Sequence, residues 1–251
     1  MPEALALALA TPGLLWVCAA ACLSGLVYGF AGFGSALVFM PLAVIFLPPP
    51  LAIAAFSLSA LASLFTMIPK AWPKADQRQT ILMVAASLVT MPLGVALLRW
   101  TPEVTIRACV CGLTLLTLAA LVAGWKVPLR GGTPLRAAVG AMSGITGGST
   151  GLNGPPVILF NLGTDQPVEV TRANLACFLT FNALFLMPMM YIQGAIDGFA
   201  VWVGALMLLP YAAGTMIGTA LFRPEAAGVY KTAAYILIAL AGIMGLPIWG
   251  A

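Results

Sequence analysis

Most of the candidate binding residues of this chain lie in two short glycine-rich stretches. GFAGFGSALVFMP, residues 29 to 41, places three glycines and a serine inside an apolar run, and GGSTGLNGPPVILF, residues 147 to 160, has a similar pattern with more polar side chains. Glycines spaced in this way let a backbone approach an anion closely, as in phosphate-binding loops. A dinucleotide site is excluded, because such a site needs a soluble strand and helix and an acidic residue about 20 positions further on.

The composition places both stretches in a membrane. Hydrophobic residues make up 62% of the 251 residues and charged residues only 7%, with a mean hydropathy of +1.06, whereas soluble domains carry about 25% charged residues. Uninterrupted apolar runs cover residues 51 to 69, 80 to 98, 104 to 124, 173 to 192, 199 to 222 and 226 to 249. Because each run is about long enough to cross a bilayer as a helix, the sequence predicts an all-α integral membrane protein.

The remaining apolar regions, about 14 to 47 and about 134 to 163, are interrupted by the two glycine-rich stretches. A shift of the sequence by 119 positions aligns Gly29 with Gly148, Gly32 with Gly151 and Pro69 with Pro188. The chain is therefore predicted to be a duplication, with a first membrane repeat at 1-125 and a second at 126-251, each of about four helical elements. The first element of each half is broken or re-entrant. Such interrupted segments in duplicated halves point to the binding site of a secondary transporter.

Two interpretations of the glycines remain open. Membrane helices use small residues to pack closely, but packing does not explain the polar residues Ser35, Ser149, Thr150 and Asn153 beside the breaks. Unwound backbone is tolerated at membrane depth only where protein buries it or water reaches it. Two breaks that face each other would form a polar pocket at the midplane, with free amides and positive helix ends pointing into it. Such a pocket favours an anion.

The predicted substrate-binding residues come from the two breaks and from the start of the following apolar run. They are Gly29, Gly32, Gly34, Ser35, Gly148, Ser149, Thr150, Gly151, Asn153, Gly154, Arg172 and Asn174. Arg172 is the only basic residue directly after a broken region, and its counterpart in the first half is Ile53. Contact with the substrate would explain it, but so would an interfacial position or a local pair with Glu169.

No catalytic residue, metal site or cofactor is predicted. The acidic residues all fall at predicted joints or termini, and the chain contains no histidine, so the usual intramembrane groups of a proton relay are missing; the acidic residues are Glu3, Asp76, Glu103, Asp165, Glu169, Asp197 and Glu225. The five cysteines lack the spacing of a zinc site or a disulfide framework and are predicted to be small packing residues.

The basic residues suggest the topology. Lys70, Lys74 and Arg78 are separated by two spans from Lys126, Arg130 and Arg136, so all six lie on one side, which the positive-inside rule makes cytoplasmic. If the broken segments crossed the bilayer, there would be eight spans, with Arg223 and Lys231 outside. If they are re-entrant, each half has three full spans, the halves are inverted repeats, and Arg223 and Lys231 lie inside. The second arrangement follows the rule better. The pieces flanking each break, about 9 to 15 residues, also favour it, because they are too short to span.

SGLVYGFAGFGSALVFMPL with the following PPPLAIAAFSLSAL, and SGITGGSTGLNGPPVILF in the second half, carry a resemblance to a known family. Over essentially the whole chain the sequence resembles the sulfite exporter TauE/SafE family, also called the sulfonate uptake family. The resemblance implies a multi-pass protein that transports sulfite or small organosulfur anions across the bacterial inner membrane. The chain departs from the usual glycine cluster at Asn153, Pro155 and Pro156.

These observations predict a secondary transporter for a small oxyanion, with no enzymatic activity. A passive anion channel is the main alternative, and a membrane enzyme or assembly subunit is a weaker one, since the spans offer neither a histidine nor a paired carboxylate. The predicted partners are a small oxyanion, sulfite or an organosulfonate, and membrane lipid. A homo-oligomer is compatible with the sequence, and nucleic acid is not a predicted partner.

Overall fold

The computed structural model describes residues 2–124, 132–163, 166–222 and 227–248, and these residues are helical with short connections and contain no strand. The boundary predicted between the two halves, at 125 and 126, lies outside the described residues. So do Lys126, Arg130, Arg223, Asp165 and Glu225, on which parts of the charge argument rest.

The described part of the first half contains a short helix, an interrupted pair and a series of longer helices. Helix α1 (Pro2–Leu9) precedes α2 (Leu14–Ala31) and α3 (Ser35–Ala43). Next come α4 (Pro49–Ala60), α5 (Ser63–Thr66) and α6 (Ile68–Ala71), followed by a 3-10 turn at Trp72–Lys74. The long helices α7 (Gln77–Trp100) and α8 (Glu103–Val122) follow. The Asp76 side chain caps α7 by accepting a hydrogen bond from the Gln79 amide at 3.0 Å, as expected for an acidic N-cap.

The described part of the second half begins with another interrupted pair, α9 (Thr133–Thr150) and α10 (Gly154–Leu162). It continues with α11 (Val168–Ile192), α12 (Phe199–Leu221) and α13 (Ala227–Met244). Prolines lie inside both α11 and α12, at Pro188 and Pro210.

Six helices of the described chain are long and apolar enough to cross a membrane: Leu14–Ala31, Pro49–Thr66, Gln77–Trp100, Glu103–Val122, Val168–Ile192 and Phe199–Leu221. Five of them match predicted spans. The sixth predicted span, 226 to 249, corresponds to a shorter apolar helix, Gly228–Met244. The protein is thus an all-helical, multi-pass membrane protein.

The sequence predicted helical pieces of about 9 to 15 residues on either side of each break. For α2 and α9 this prediction was wrong, because each has 18 residues and is about 27 Å long. Both helices continue through a glycine that the sequence analysis assigned to the break. A Cβ on Gly29 would lie 2.5 Å from the Thr215 carbonyl oxygen, and one on Gly148 would lie 2.7 Å from the Met91 carbonyl oxygen. These glycines stay helical because a neighbouring helix packs directly on their backbone.

Two parallel helix pairs are built on such contacts. Along α2, Gly25 packs on Tyr211 and Gly29 on Gly218 of α12. Along α9, Gly140 packs on Met83, Gly144 on Ser87 and Gly148 on Met91 of α7. The glycines recur every four residues on one helix face, which lets two backbones approach closely in a membrane.

The two ends of each interrupted pair lie close to each other in space. At the first pair, a Cβ on Gly13, just before α2, would lie 2.6 Å from the Phe46 ring beyond the end of α3. At the second pair, Asn161 near the end of α10 accepts a hydrogen bond from the Gln79 side chain at 3.3 Å, near the start of α7. Since α9 and α7 run parallel with Gly140 beside Met83, α9 also begins near that level. We call the end of the bundle with Lys70, Lys74 and the start of α11 the basic face, and the other end the opposite face.

Candidate functional site

A small enclosed cavity lies near the middle of the long helices. Thr180 of α11, Tyr211 of α12 and Ser57 of α4 line it, and each lies close to the midpoint of its span. The space open to water measures about 30 Å³, whereas one water molecule needs about 10 to 15 Å³. We call it the central cavity.

The central cavity brings both breaks together. Gly34 and Ser35 line it from the first break, and Gly151, Asn153 and Gly154 line it from the second. These five are the sequence-predicted residues that the structure places around one space. Among the described residues that line the cavity there is no Asp, Glu, Lys or Arg.

The N-termini of α3 and α10 both border the cavity. The residue before α3 is Gly34 and the residue before α10 is Asn153, and neither helix receives a hydrogen bond from a capping side chain. Helix N-termini carry unpaired amides and a partial positive charge. Ser35, Ala36 and Leu37 supply such amides on α3, whereas Pro155 and Pro156 leave α10 with fewer donors.

Left-handed backbone forms both breaks. Gly32 and Gly34 have φ angles of 78° and 89°, and Gly151 has a φ angle of 73°. Residues with a Cβ adopt this region only with strain, so glycine is required where the helix stops and the chain turns into the next helix. The positive φ angles therefore explain why glycine occupies three of the predicted substrate-binding positions, 32, 34 and 151.

Hydroxyl groups supply the other polar atoms of the cavity. The Tyr28 hydroxyl donates to the Ala176 carbonyl at 3.0 Å and lies 3.1 Å from the Thr180 hydroxyl. Ser63 Oγ is buried and has no hydrogen-bond partner within the described chain. Ser35 and Tyr211 line the same space as Ser63. The cavity therefore offers neutral groups that can donate to an anion.

The predicted residues Ser149 and Thr150 do not line the central cavity. Ser149 Oγ donates to the Ile145 carbonyl at 2.8 Å, and Thr150 Oγ1 donates to the Thr146 carbonyl at 2.7 Å. Both hydroxyls thus satisfy carbonyls of their own helix near its C-terminus. Gly29 and Gly148 serve helix packing, as described above, and also lie outside the cavity lining.

Arg172 belongs to α11, and its side chain lies at the C-terminal end of α2. Its Nη2 donates to the Gly29 carbonyl at 2.6 Å, and its guanidinium carbon lies 3.9 Å from the centre of the Phe222 ring. A Cβ on Gly32 would overlap the Arg172 Cγ. Arg172 therefore caps the negative end of α2, while Glu169 pairs with Lys74 at 2.9 Å. The local pair between Arg172 and Glu169 is not the arrangement in this structure.

Asn174 belongs to a different polar cluster. Its Oδ1 accepts from the Asp76 amide at 2.7 Å, and its Nδ2 donates to the Gln166 side chain at 3.0 Å. These bonds tie the start of α11 to the connection before α7. The structure thus places Asn174 away from the cavity lining.

Sequence reasoning missed the hydroxyl and aromatic part of the cavity, which consists of Tyr28, Phe56, Ser57, Ser63, Thr180 and Tyr211. Polar residues inside an apolar run, such as Ser57 and Ser63, were an available signal. The positions of Tyr28 and Tyr211 near the middle of apolar runs were another, because tyrosine in membrane helices is enriched at the interfaces.

A multi-pass bundle with a small cavity where two interrupted helix pairs meet has the architecture of a membrane transporter. A family model for the sulfite exporter TauE/SafE family matches residues 17–245. The chain therefore belongs to this family of integral membrane transporters, as the resemblance of its glycine-rich stretches indicated. No curated protein and no solved structure matched the chain.

Proposed function

We propose that the protein is a secondary transporter that moves sulfite or a small organosulfur oxyanion through the central cavity. The observation that carries this proposal is the meeting of two uncapped helix N-termini, those of α3 and α10, at one enclosed space. Positive helix ends and free amides at mid-membrane are the usual means by which transporters hold an anionic group.

The site as proposed consists of break residues and hydroxyls. It keeps Gly34, Ser35, Gly151, Asn153 and Gly154 of the sequence-predicted set, and it adds Tyr28, Ser63, Thr180 and Tyr211. Arg172, Asn174, Gly29, Gly32, Gly148, Ser149 and Thr150 contribute to the surrounding structure instead. An anion in this site would be bound by dipoles and hydrogen bonds without a formal positive charge, which suits release as well as binding.

We further infer that the halves are inverted repeats with re-entrant first elements. The closeness of Gly13 to Phe46 supports a first pair that enters and leaves at the opposite face. The bond between Gln79 and Asn161 supports a second pair that enters and leaves at the basic face. Alternating access would then rock one half against the other around the central cavity.

The size of the cavity favours a carrier over a channel. An open channel needs a continuous water-filled path, whereas the space found here holds about two waters. Phe56 and Tyr211 of its lining lie edge to face with ring centres 5.9 Å apart, and Phe39 stacks on Phe56 with centres 4.8 Å apart.

Transport by purified protein in liposomes tests the proposal directly. Uptake of labelled sulfite, sulfoacetate, sulfate and chloride is measured with and without a proton gradient. We expect saturable uptake of sulfite or sulfoacetate and little chloride uptake. Uptake that rises linearly with concentration at rates far above carrier turnover would identify a channel, and no uptake of any oxyanion would refute the proposed function.

A reporter fused after Ala251 tests the inverted arrangement. With three full spans in each half and the basic face in the cytoplasm, the C-terminus lies in the periplasm. A fusion to a reporter that works only in the periplasm should be active, and the same fusion to a cytoplasmic reporter should be inactive. The reverse result would restore eight crossing segments.

A further inference from the structure

A second pocket, separate from the central cavity, opens at the basic face. Its volume is about 240 Å³, and Lys70, Lys74, Glu169, Arg172 and Ala176 are among the residues that line it. We call it the basic vestibule. Three cations and one carboxylate give its lining an excess of positive charge.

The one carboxylate offsets only one of these positive charges. Glu169 Oε2 lies 2.9 Å from Lys74 Nζ, so Lys70 and Arg172 remain as the excess cations of the lining. Lys70 is exposed and has no ion pair among the described residues. Arg172 is anchored to Gly29 through Nη2, and its buried Nε lacks a hydrogen-bond partner in the described part of the chain.

Tyr28 links the linings of the basic vestibule and the central cavity. Ala176 lines the vestibule, and its carbonyl accepts the hydroxyl proton of Tyr28 at 3.0 Å. Tyr28 in turn lines the central cavity, and its hydroxyl lies 3.1 Å from the Thr180 hydroxyl. The two spaces therefore adjoin the same residue.

The basic residues of the vestibule have no charged counterparts in the other half of the chain. Under the shift of 119 positions, Lys70 corresponds to Met189, Lys74 to Gln193 and Arg172 to Ile53. All three basic positions are thus uncharged in the other half. Helix packing alone does not require this difference, because Ile53 packs near Gly151 as Arg172 packs near Gly32.

We propose that the basic vestibule is a second, weaker binding site for the oxyanion, which gathers the anion at the basic face before it passes Tyr28 into the central cavity. The proposal rests on the proposed transport function. Positive charge in a cleft raises the local concentration of an anion and its rate of association. The vestibule therefore makes transport from the basic face effective at lower substrate concentration than transport from the opposite face.

Charge variants of exposed vestibule residues test this inference. Initial rates of sulfite transport are measured in membrane vesicles of both orientations, at low ionic strength and at about 0.15 M salt, where the Debye length is about 8 Å. For sulfite presented at the basic face at low salt, Lys70→Gln should raise KM several-fold and Glu169→Gln should lower it, with little change in kcat. Both effects should shrink at the higher salt.

Arg99→Gln is the matched control, because Arg99 is an exposed basic residue at the other end of α7. It should leave KM at the basic face unchanged. If wild-type protein transports sulfite but neither Lys70→Gln nor Glu169→Gln changes KM at the basic face, the vestibule is not a binding site and the central cavity stands alone. If both variants change KM to the same extent from both faces, the vestibule proposal is also wrong. If wild-type protein transports no oxyanion, this inference falls together with the proposed function.

Discussion

The two interrupted helix pairs end their first helices in different ways. At the end of α2, Arg172 from α11 donates to the Gly29 carbonyl and lies against Gly32. At the end of α9, the corresponding neighbour of Gly151 is Ile53, with a carbon that would lie 3.1 Å from a Cβ at that position. There the hydroxyls of Ser149 and Thr150 donate to the Ile145 and Thr146 carbonyls of the same helix. A cation from a distant helix thus caps the first break, whereas the side-chain hydrogen bonds at the second are local.

The second helices of the pairs differ as well. Helix α3 begins with Ser35, Ala36 and Leu37, all of which have amide protons, whereas α10 begins with Gly154 and two prolines. Because proline has no amide proton, the first break supplies more backbone donors to the central cavity. The second break supplies the Asn153 side chain instead. Similar geometry is therefore achieved with different chemistry.

Exchange of Arg172 and Ile53, which pack against the break glycines Gly32 and Gly151, should have the largest effect. Ile53 is fully buried, so Ile53→Arg would bury a charge without a partner and cost more than about 3 kcal/mol. Arg172→Ile would lose the charged hydrogen bond to Gly29, worth about 1.5 to 3 kcal/mol, but keep much of the packing. Accumulation in the membrane and the thermal unfolding midpoint in detergent report both losses. Wild-type behaviour of Ile53→Arg would mean that the second break can also accept a cation, and the comparison would fail.

Alanine at the three left-handed glycines of the breaks, Gly32, Gly34 and Gly151, should have intermediate and graded effects. Each substitution forces a Cβ into positive φ, which costs about 1 to 2 kcal/mol. At Gly32 the new Cβ also overlaps Arg172, at Gly151 it lies 3.1 Å from Ile53 and Met40 atoms, and at Gly34 nothing lies closer than 3.5 Å. The loss in unfolding midpoint should therefore decrease in the order Gly32→Ala, Gly151→Ala, Gly34→Ala.

The control for this series is Gly112→Ala. Gly112 lies within α8, and a Cβ there would meet no atom within 4 Å, so alanine should be neutral or slightly stabilising by its helix propensity. If the unfolding midpoint fell equally at all three break glycines, the contacts with Arg172 and Ile53 would not affect the cost of a Cβ there.

Removal of one side-chain donor from each break should have the smallest effect. Ser35→Ala and Asn153→Ala each remove a neutral hydrogen-bonding group from the cavity wall, worth about 1 kcal/mol, so each should weaken oxyanion binding several-fold without abolishing it. Direct binding measurements on purified protein give the dissociation constants. Ser59→Ala is the control, because Ser59 Oγ donates to the Phe56 carbonyl at 2.8 Å and Ser59 does not line the cavity. Unchanged affinity in the double variant Ser35→Ala, Asn153→Ala would leave backbone amides as the donors from the breaks.

Glycine spacing alone could not separate the two roles of glycine in this protein. Gly29 and Gly32 lie in the same short apolar stretch, yet Gly29 is helical and Gly32 has a left-handed backbone. The difference arises from α12, whose Gly218 lets the two backbones meet at Gly29. Because that partner lies far away in the sequence, the predicted breaks extend too far toward the N-terminus at both sites.

The partner of Arg172 also lies far away in the sequence. The sequence correctly marked it as an unusual cation beside a break, and it offered Glu169, three residues away, as a local partner. The structure instead pairs Glu169 with Lys74 and directs Arg172 to the Gly29 carbonyl. A helix end is an attractive partner for a cation because its carbonyls are unpaired, but only the folded chain brings α2 and α11 together.

The membrane setting of this protein follows from its sequence: apolar runs of spanning length specify membrane helices because lipid leaves backbone groups no other partner, and the two glycine-rich stretches indicate the family. The five break residues that line the central cavity were also predicted from the sequence. The folded chain was needed to show that Tyr28, Ser63 and Tyr211 line that cavity as well and that Arg172 lies outside it. Such assignments depend on which helix faces meet, and in a uniformly apolar chain the faces toward lipid and toward protein carry nearly the same residues.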